Sequence, residues 1–229
     1  MTEIFSDGFE TGNFNAWTGT SGTPEVVEDP VHHGGYAAKF NANGEYIYKN
    51  FETSSTVNCR LYFQFNTLPS GSSQYFSIAL LYSPEIWTLY YGTDASGALR
   101  FTFWRSYPSG AGIYIPYTLS INTWYCIEIE FVKAASPDGK YLLYLDGEYI
   151  GGETGLDTSS ATPTQVRIGT DITNYQVTLI CDCVVVADAY IGEEGAAEGQ
   201  PYISRVQQIS GMQTFNPIHL LKFKPRKLI

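Results

Sequence analysis

Apolar and polar side chains alternate with a period of two along most of the first 190 residues. In the segment NCRLYFQFN, Cys59, Leu61, Phe63 and Phe65 fall on one side and Arg60, Tyr62 and Gln64 on the other. Clusters of Gly, Pro, Asn, Asp and Ser interrupt this rhythm, the pattern of an antiparallel β-sandwich. It predicts strands at 36–41, 45–51, 58–66, 74–82, 86–91, 99–105, 124–132, 141–145, 148–150, 165–169 and 181–191. In KYLLYLDGEYIGG, Asp146-Gly147 accepts the positive φ angles of a tight type I′ turn and predicts a hairpin. TLPSGSSQ and YPSGAGIYIPY read as loops.

After YIGEEGAAEGQP the alternation stops. Residues 1–195 form the predicted sandwich, and 196–229 a linker and a C-terminal arm. All 23 acidic residues lie before Gln200, whereas residues 200–229 carry basic side chains among apolar ones. A segment with that composition tends to dock rather than stay in water. His219, Leu220, Leu221, Lys222, Phe223 and Lys224 are the assembly candidates, for contact with a protein partner or with another copy of the chain.

Composition narrows the function classes. Aromatic residues make up 15% and charged ones only 16%, which favours ring-rich strands. A formal charge of -10 argues against a nucleic-acid partner, which needs clustered Lys and Arg. No apolar run is long enough to span a bilayer as a helix, and no stretch has the form of a secretory signal. The sequence therefore points to no membrane span. Of the four cysteines, only Cys181 and Cys183 form a C-x-C, and without a second pair that is weak evidence for zinc. They leave a buried thiol or one core bridge from Cys59 to the 181–183 strand open.

DGFETGNFNAW near the start, PVHHGGYAAKF, WYCIEIEF, YLLYLDGEYIGG and CVVVADAYIG follow one another over residues 5–192. In that order they resemble the laminin-G-like, concanavalin A-like jelly-roll domains of microbial and viral surface proteins. The resemblance implies an all-β, two-sheet antiparallel jelly roll, here with a C-terminal extension, and a concave sheet that contacts glycans in many relatives. It also implies a structural calcium between the N-terminal turn and the last strand. Asp7, Glu10, Asn13 and Asn15, with Asp182 or Asp188, are the candidate oxygen donors. The alternative for that first stretch is an ordinary turn with Phe9, Phe14 and Trp17 packed inward.

Glu128 and Glu130 point the same way from one strand, about 6.6 Å apart at Cα. Such a pair is the raw material of a glycan-cleaving enzyme, glycoside hydrolase or polysaccharide lyase. The Glu-Asp-Glu pattern of jelly-roll glucanases is missing, because Ile129 stands between the two. His32 and His33 are adjacent and read as loop imidazoles. No catalytic residue is therefore assigned outside the enzyme alternative.

The non-core sides of the strands collect Arg60, Tyr62, Gln64, Tyr90, Arg100, Trp104, Glu128 and Glu130, with Thr88 and Thr102 between them. Aromatic rings beside forked and amide hydrogen-bonders suit the apolar faces and hydroxyl edges of a polysaccharide or other glycan. Plain cross-strand packing explains the same composition. The functional expectation is thus a non-catalytic, surface-displayed glycan binder held in a larger assembly by its arm. A glycan-cleaving enzyme and a purely structural virion or filament subunit are the alternatives.

Overall fold

A computed structural model describes residues 1–82, 87–105 and 111–194; the predicted arm and its residues His219 to Lys224 lie outside the described residues. None of the described residues forms a helix long and apolar enough to cross a membrane. The strands are β1 (Glu3–Asp7), β2 (Gly19–Ser21), β3 (Glu25–Val27), β4 (Ala37–Phe40), β5 (Glu45–Asn50), β6 (Thr56–Phe65), β7 (Tyr75–Tyr82) and β8 (Trp87–Thr93). They continue with β9 (Leu99–Arg105), β10 (Ala111–Pro116), β11 (Tyr125–Val132), β12 (Gly139–Leu145), β13 (Glu148–Leu156), β14 (Gln165–Thr170) and β15 (Leu179–Ala187).

Two antiparallel sheets result. The eight-stranded sheet runs β13-β12-β11-β6-β15-β4-β3, with β1 also paired to β15. The seven-stranded sheet runs β10-β9-β8-β7-β14-β5-β2. The predicted strands are all present, because a two-residue rhythm lets each strand bury one side against the other sheet.

The core is the seam between the sheets. Leu61, Phe63 and Phe65 of β6 and Ile127, Ile129 and Phe131 of β11 meet Phe76, Leu89, Tyr91, Phe101 and Phe103 of the opposite sheet. Phe65 contacts Phe76 and Tyr91 with ring centroids 5.5 and 5.4 Å apart, and Phe103 meets Tyr141 at 5.8 Å. Burying one such side chain is worth roughly 1.5–3 kcal/mol. At one edge, Arg105 Nε of β9 donates to Glu153 Oε2 of β13 at 2.8 Å and ties the sheets together. All four cysteines are free and buried.

The β12–β13 hairpin has φ of 49° at Asp146 and 74° at Gly147, both positive as a type I′ turn requires. YPSGAGIYIPY, in contrast, is not all loop: Ala111–Pro116 pairs along β9 as an edge strand. Pro116 is tolerated there because an edge strand leaves one side of its backbone unpaired. The last strand also ends earlier than expected, at Ala187 rather than 191.

The opening FSDGFETGNFNAW is a strand entering a turn packed with aromatic rings. Phe9 stacks on Trp17 with centroids 6.1 Å apart, and Phe5 meets the same indole edge-on at 4.9 Å. Asp7 holds the turn by accepting from Phe9 N at 2.9 Å and from Trp17 Nε1 at 2.7 Å.

Candidate functional site

The outward-facing residues singled out from the sequence do not share one surface. Arg60, Tyr62, Gln64, Glu128 and Glu130 lie on the eight-stranded sheet, whereas Tyr90, Arg100 and Trp104 lie on the seven-stranded one. Alternation separates inside from outside but is identical for both sheets, so it merged two opposite faces into one.

On the eight-stranded sheet the chain covers its own polar residues. After β15, residues 188–194 fold back over β6 and β11. Ile191 N and Gly192 N each donate to one oxygen of Glu128, both at 2.8 Å. Arg60 donates to the carbonyls of Gly192 at 3.3 Å and Cys183 at 3.2 Å, and Glu194 N donates to the Tyr62 hydroxyl at 2.9 Å. Arg60 and Glu128 are buried in consequence. Burial pushes the Glu128 carboxyl up to about 7, against the pull of the two amides and Arg60. Glu130 pairs with Lys140 Nζ at 2.7 Å and accepts from the Tyr144 hydroxyl at 3.2 Å. Gln64 is buried as well.

At the end of this strap lies a group that the sequence did not bring together. The His32 ring stacks on Tyr62 with centroids 3.6 Å apart and meets Trp124 edge-on at 5.6 Å. His32, His33, Tyr62, Trp124, Cys126 and Glu194 border a recess of about 620 Å³. Burial lowers the His32 pKa below its usual value.

Among the described residues, no segment covers the aromatic rows on the outer face of the seven-stranded sheet. Register places Trp104 opposite Thr88, and Thr102 opposite both Tyr90 and Tyr114, so these side chains form adjoining rows. Tyr75, Tyr90, Arg100, Thr102, Trp104 and Tyr114 line a cleft of about 490 Å³. Tyr75, Trp104 and Tyr114 remain 37%, 37% and 52% exposed, high values for large rings on a sheet. Arg100 lies over the Tyr114 ring at 4.2 Å, and Tyr75 meets Tyr90 edge-on at 5.3 Å. Gly112 keeps the floor clear, since a Cβ there would fall 2.9 Å from the Tyr114 hydroxyl and 3.1 Å from the Trp104 ring. Farther along this face Arg167 sits 4.0 Å from the Tyr82 ring and 4.9 Å from that of Tyr46.

Of the oxygens considered for calcium, those of Asp7, Glu10, Asn13, Asp182 and Asp188 accept from N–H donors. Asp7 holds its own turn, Glu10 accepts from Gly35 N at 3.0 Å, and Asn13 Oδ1 accepts from Asn15 N at 2.9 Å. Asp182 accepts from His32 N, His33 N and Cys183 N at 2.9, 3.1 and 2.6 Å, while Asp188 accepts from Thr2 N. Calcium wants six to eight converging oxygens. As arranged, Asp7, Glu10, Asn13, Asp182 and Asp188 hold backbone or indole N–H groups.

No protein-family model and no curated protein matches the sequence. Solved structures do match. An endo-β-1,4-glucuronan lyase from the fungus Trichoderma reesei superposes with a TM-score of 0.62 at 16% identity, over 82% of this chain and 96% of that one. A carbohydrate esterase of the Shiga toxin-encoding bacteriophage phi24B gives 0.60 at 16% identity, over 81% and 97%. The receptor-binding domain of botulinum neurotoxin type G gives 0.54 at 14% identity, over 81% of this chain and 47% of that one. At these identities what is shared is the fold. The architecture is an all-β, concanavalin A-like jelly-roll sandwich.

Proposed function

We propose that this protein is a non-catalytic carbohydrate-binding jelly roll that receives a glycan on the outer face of its seven-stranded sheet. The observation that carries this reading is the open cleft in which Tyr75, Trp104 and Tyr114 stay exposed beside Arg100. Rings of this kind stack on the CH faces of sugars, and a guanidinium offers a fork of donors to hydroxyls or a carboxylate. The similar folds include a lyase of a glucuronan and a carbohydrate esterase, so sugar chemistry is at home on this scaffold. Surface display and attachment through residues 196–229 belong to the same proposal. Truncation after Gly199 is expected to change the oligomeric state or the attachment, and an unchanged assembly would remove that part.

A glycan array followed by calorimetry tests the binding reading. Trp104→Ala and Tyr114→Ala are each expected to weaken a bound glycan by about tenfold, the scale of one lost stacking contact. No bound glycan, or binding indifferent to both substitutions, would shift the weight to a purely structural subunit.

One observation favours a glycan-cleaving enzyme instead: a Glu128 carboxyl near pH 7 has the proton affinity of a general acid. Against it, both Glu128 oxygens are occupied by backbone amides. New reducing ends or unsaturated uronates from a polysaccharide panel, abolished by Glu128→Gln, would replace the binding reading with the catalytic one.

A further inference from the structure

We propose that His32, Cys183 and Glu194 form a site for one transition-metal ion of the zinc class on the outer face of the eight-stranded sheet. The site is on the opposite sheet from the glycan cleft and does not depend on it.

The geometry begins with a fault in β15. Regular alternation would turn Cys183 to the same side as Cys181, into the core. Pairing with β6 slips between Asp182 and Val185, and Cys183 adopts φ of 49°, a left-handed conformation that side chains rarely take. A bulge of this kind re-aims side chains. Here Cys181, Val184 and Val186 stay in the core while Cys183 turns outward beside Tyr62 and Cys126. The strained residue brings a thiol to an imidazole 151 positions away in sequence: Cys183 Sγ lies 3.9 Å from His32 Nδ1.

The third donor arrives on the strap. Glu194 Oε2 lies 3.8 Å from His32 Nδ1, and the donor atoms of the three residues all fall within 4.8 Å of one another. A tetrahedral ion with bonds of about 2.3 Å to sulfur and about 2.0–2.1 Å to nitrogen and oxygen would hold such donors about 3.4–3.6 Å apart. Closing that gap takes movements of a few tenths of an ångström up to about an ångström, within the reach of side-chain torsions. His33 Nδ1, 3.4 Å from the same Glu194 oxygen, is placed to approach the fourth position.

Supporting contacts hold the donors. The amides of His32 and His33 are fixed by Asp182, the His32 ring lies flat on Tyr62, and Glu194 is anchored through its amide on Tyr62. Arg60 engages Glu194 Oε1 at 3.5 Å, leaving Oε2 for the ion. Such second contacts orient ligands in metal sites. A sulfur, nitrogen and oxygen set selects zinc-like ions over calcium or magnesium, which prefer oxygen alone.

Cys183 is a free thiol, and His32 Nδ1 is the ring nitrogen that faces it. Binding forms the metal–sulfur bond as the S–H bond breaks and releases that proton to solvent.

The test uses tag-free, reduced, full-length protein titrated with Co²⁺. The expected result is saturation at one equivalent, a sulfur-to-cobalt charge-transfer band, release of about one proton per ion, and displacement by Zn²⁺. Cys183→Ser should abolish the band, His32→Ala should weaken binding at least about tenfold, and Cys126→Ser should change neither. No band at saturating Co²⁺, a band that survives Cys183→Ser, or displacement by Ca²⁺ in preference to Zn²⁺ would overturn the proposal. Should Cys183→Ser fail to fold, peptide-mapped alkylation of the unaltered protein decides: Zn²⁺ must slow modification of Cys183, and an unchanged rate counts against the site.

Discussion

The two outer faces of this sandwich start from the same kind of sequence and end differently. Each strand donates every second residue outward, and both sheets put arginine, tyrosine and hydrogen-bonding groups there. On the eight-stranded sheet the chain returns over those residues, so Arg60 and Glu128 are spent on backbone groups of residues 183–192. On the seven-stranded sheet no described segment returns over Trp104 and Tyr114, which keep much of their surface in solvent even though Arg100 lies over the Tyr114 ring. The lesson is that a polar outer face becomes a recognition surface only where the chain leaves it uncovered. Residue type alone does not separate the two.

Paired substitutions break or sharpen that contrast. The largest effect is expected from Arg60→Leu, which removes a buried cation from three acceptors and leaves Glu128 without its nearest positive charge. It should cost about 3–5 kcal/mol in urea unfolding. Arg100→Leu on the open face should cost no more than about 1 kcal/mol, the scale of an exposed cation–π contact. Equal costs would mean that the two faces are energetically alike.

Next comes pH. Glu128 titrates near 7 in the folded chain against 4.5 ordinarily, so the folded state binds the proton more tightly than the unfolded state does. Its contribution is fully present below about pH 4.5 and is lost as pH rises through 7, about 3 kcal/mol in all. Glu128→Gln should flatten that fall. His32, whose pKa is lowered, acts in the opposite direction, but it does so in both proteins, so the difference between their pH profiles isolates Glu128. Parallel profiles would show that the strap does not desolvate the carboxyl.

Smaller still, Trp104→Ala should change unfolding free energy by no more than about 0.5 kcal/mol, as for other surface positions. A loss of several kcal/mol would make the ring part of the framework. Last, a calcium-selective chelator should leave the melting temperature unchanged, since Asp7, Glu10, Asn13, Asp182 and Asp188 already accept from N–H groups; a fall would support a calcium staple.

The strands and the Asp146-Gly147 hairpin were legible because their cause is local: a period of two, and two residues that accept positive φ. β1 was missing from the predicted strands, and β2 and β3 escaped because three residues carry no rhythm. β10 escaped because Gly and Pro in YPSGAGIYIPY mark loops and edge strands alike. The cleft residues Tyr90, Arg100 and Trp104 were visible as outward aromatic and forked groups. Their separation from Arg60 and Glu128 was not, since sheet membership is decided by pairing between distant segments. The His32–Cys183–Glu194 cluster had no sequence signal at all. It depends on a bulge that reverses one cysteine and on a strap whose return path no periodicity records.

That strap also gives the molecule a front and a back. The chain leaves the described fold at Glu194, on the side opposite Trp104 and Tyr114. The proposed glycan face and the point where the described chain ends therefore lie on opposite sides of the slab, so a ligand on the aromatic rows and the last described residue face away from each other.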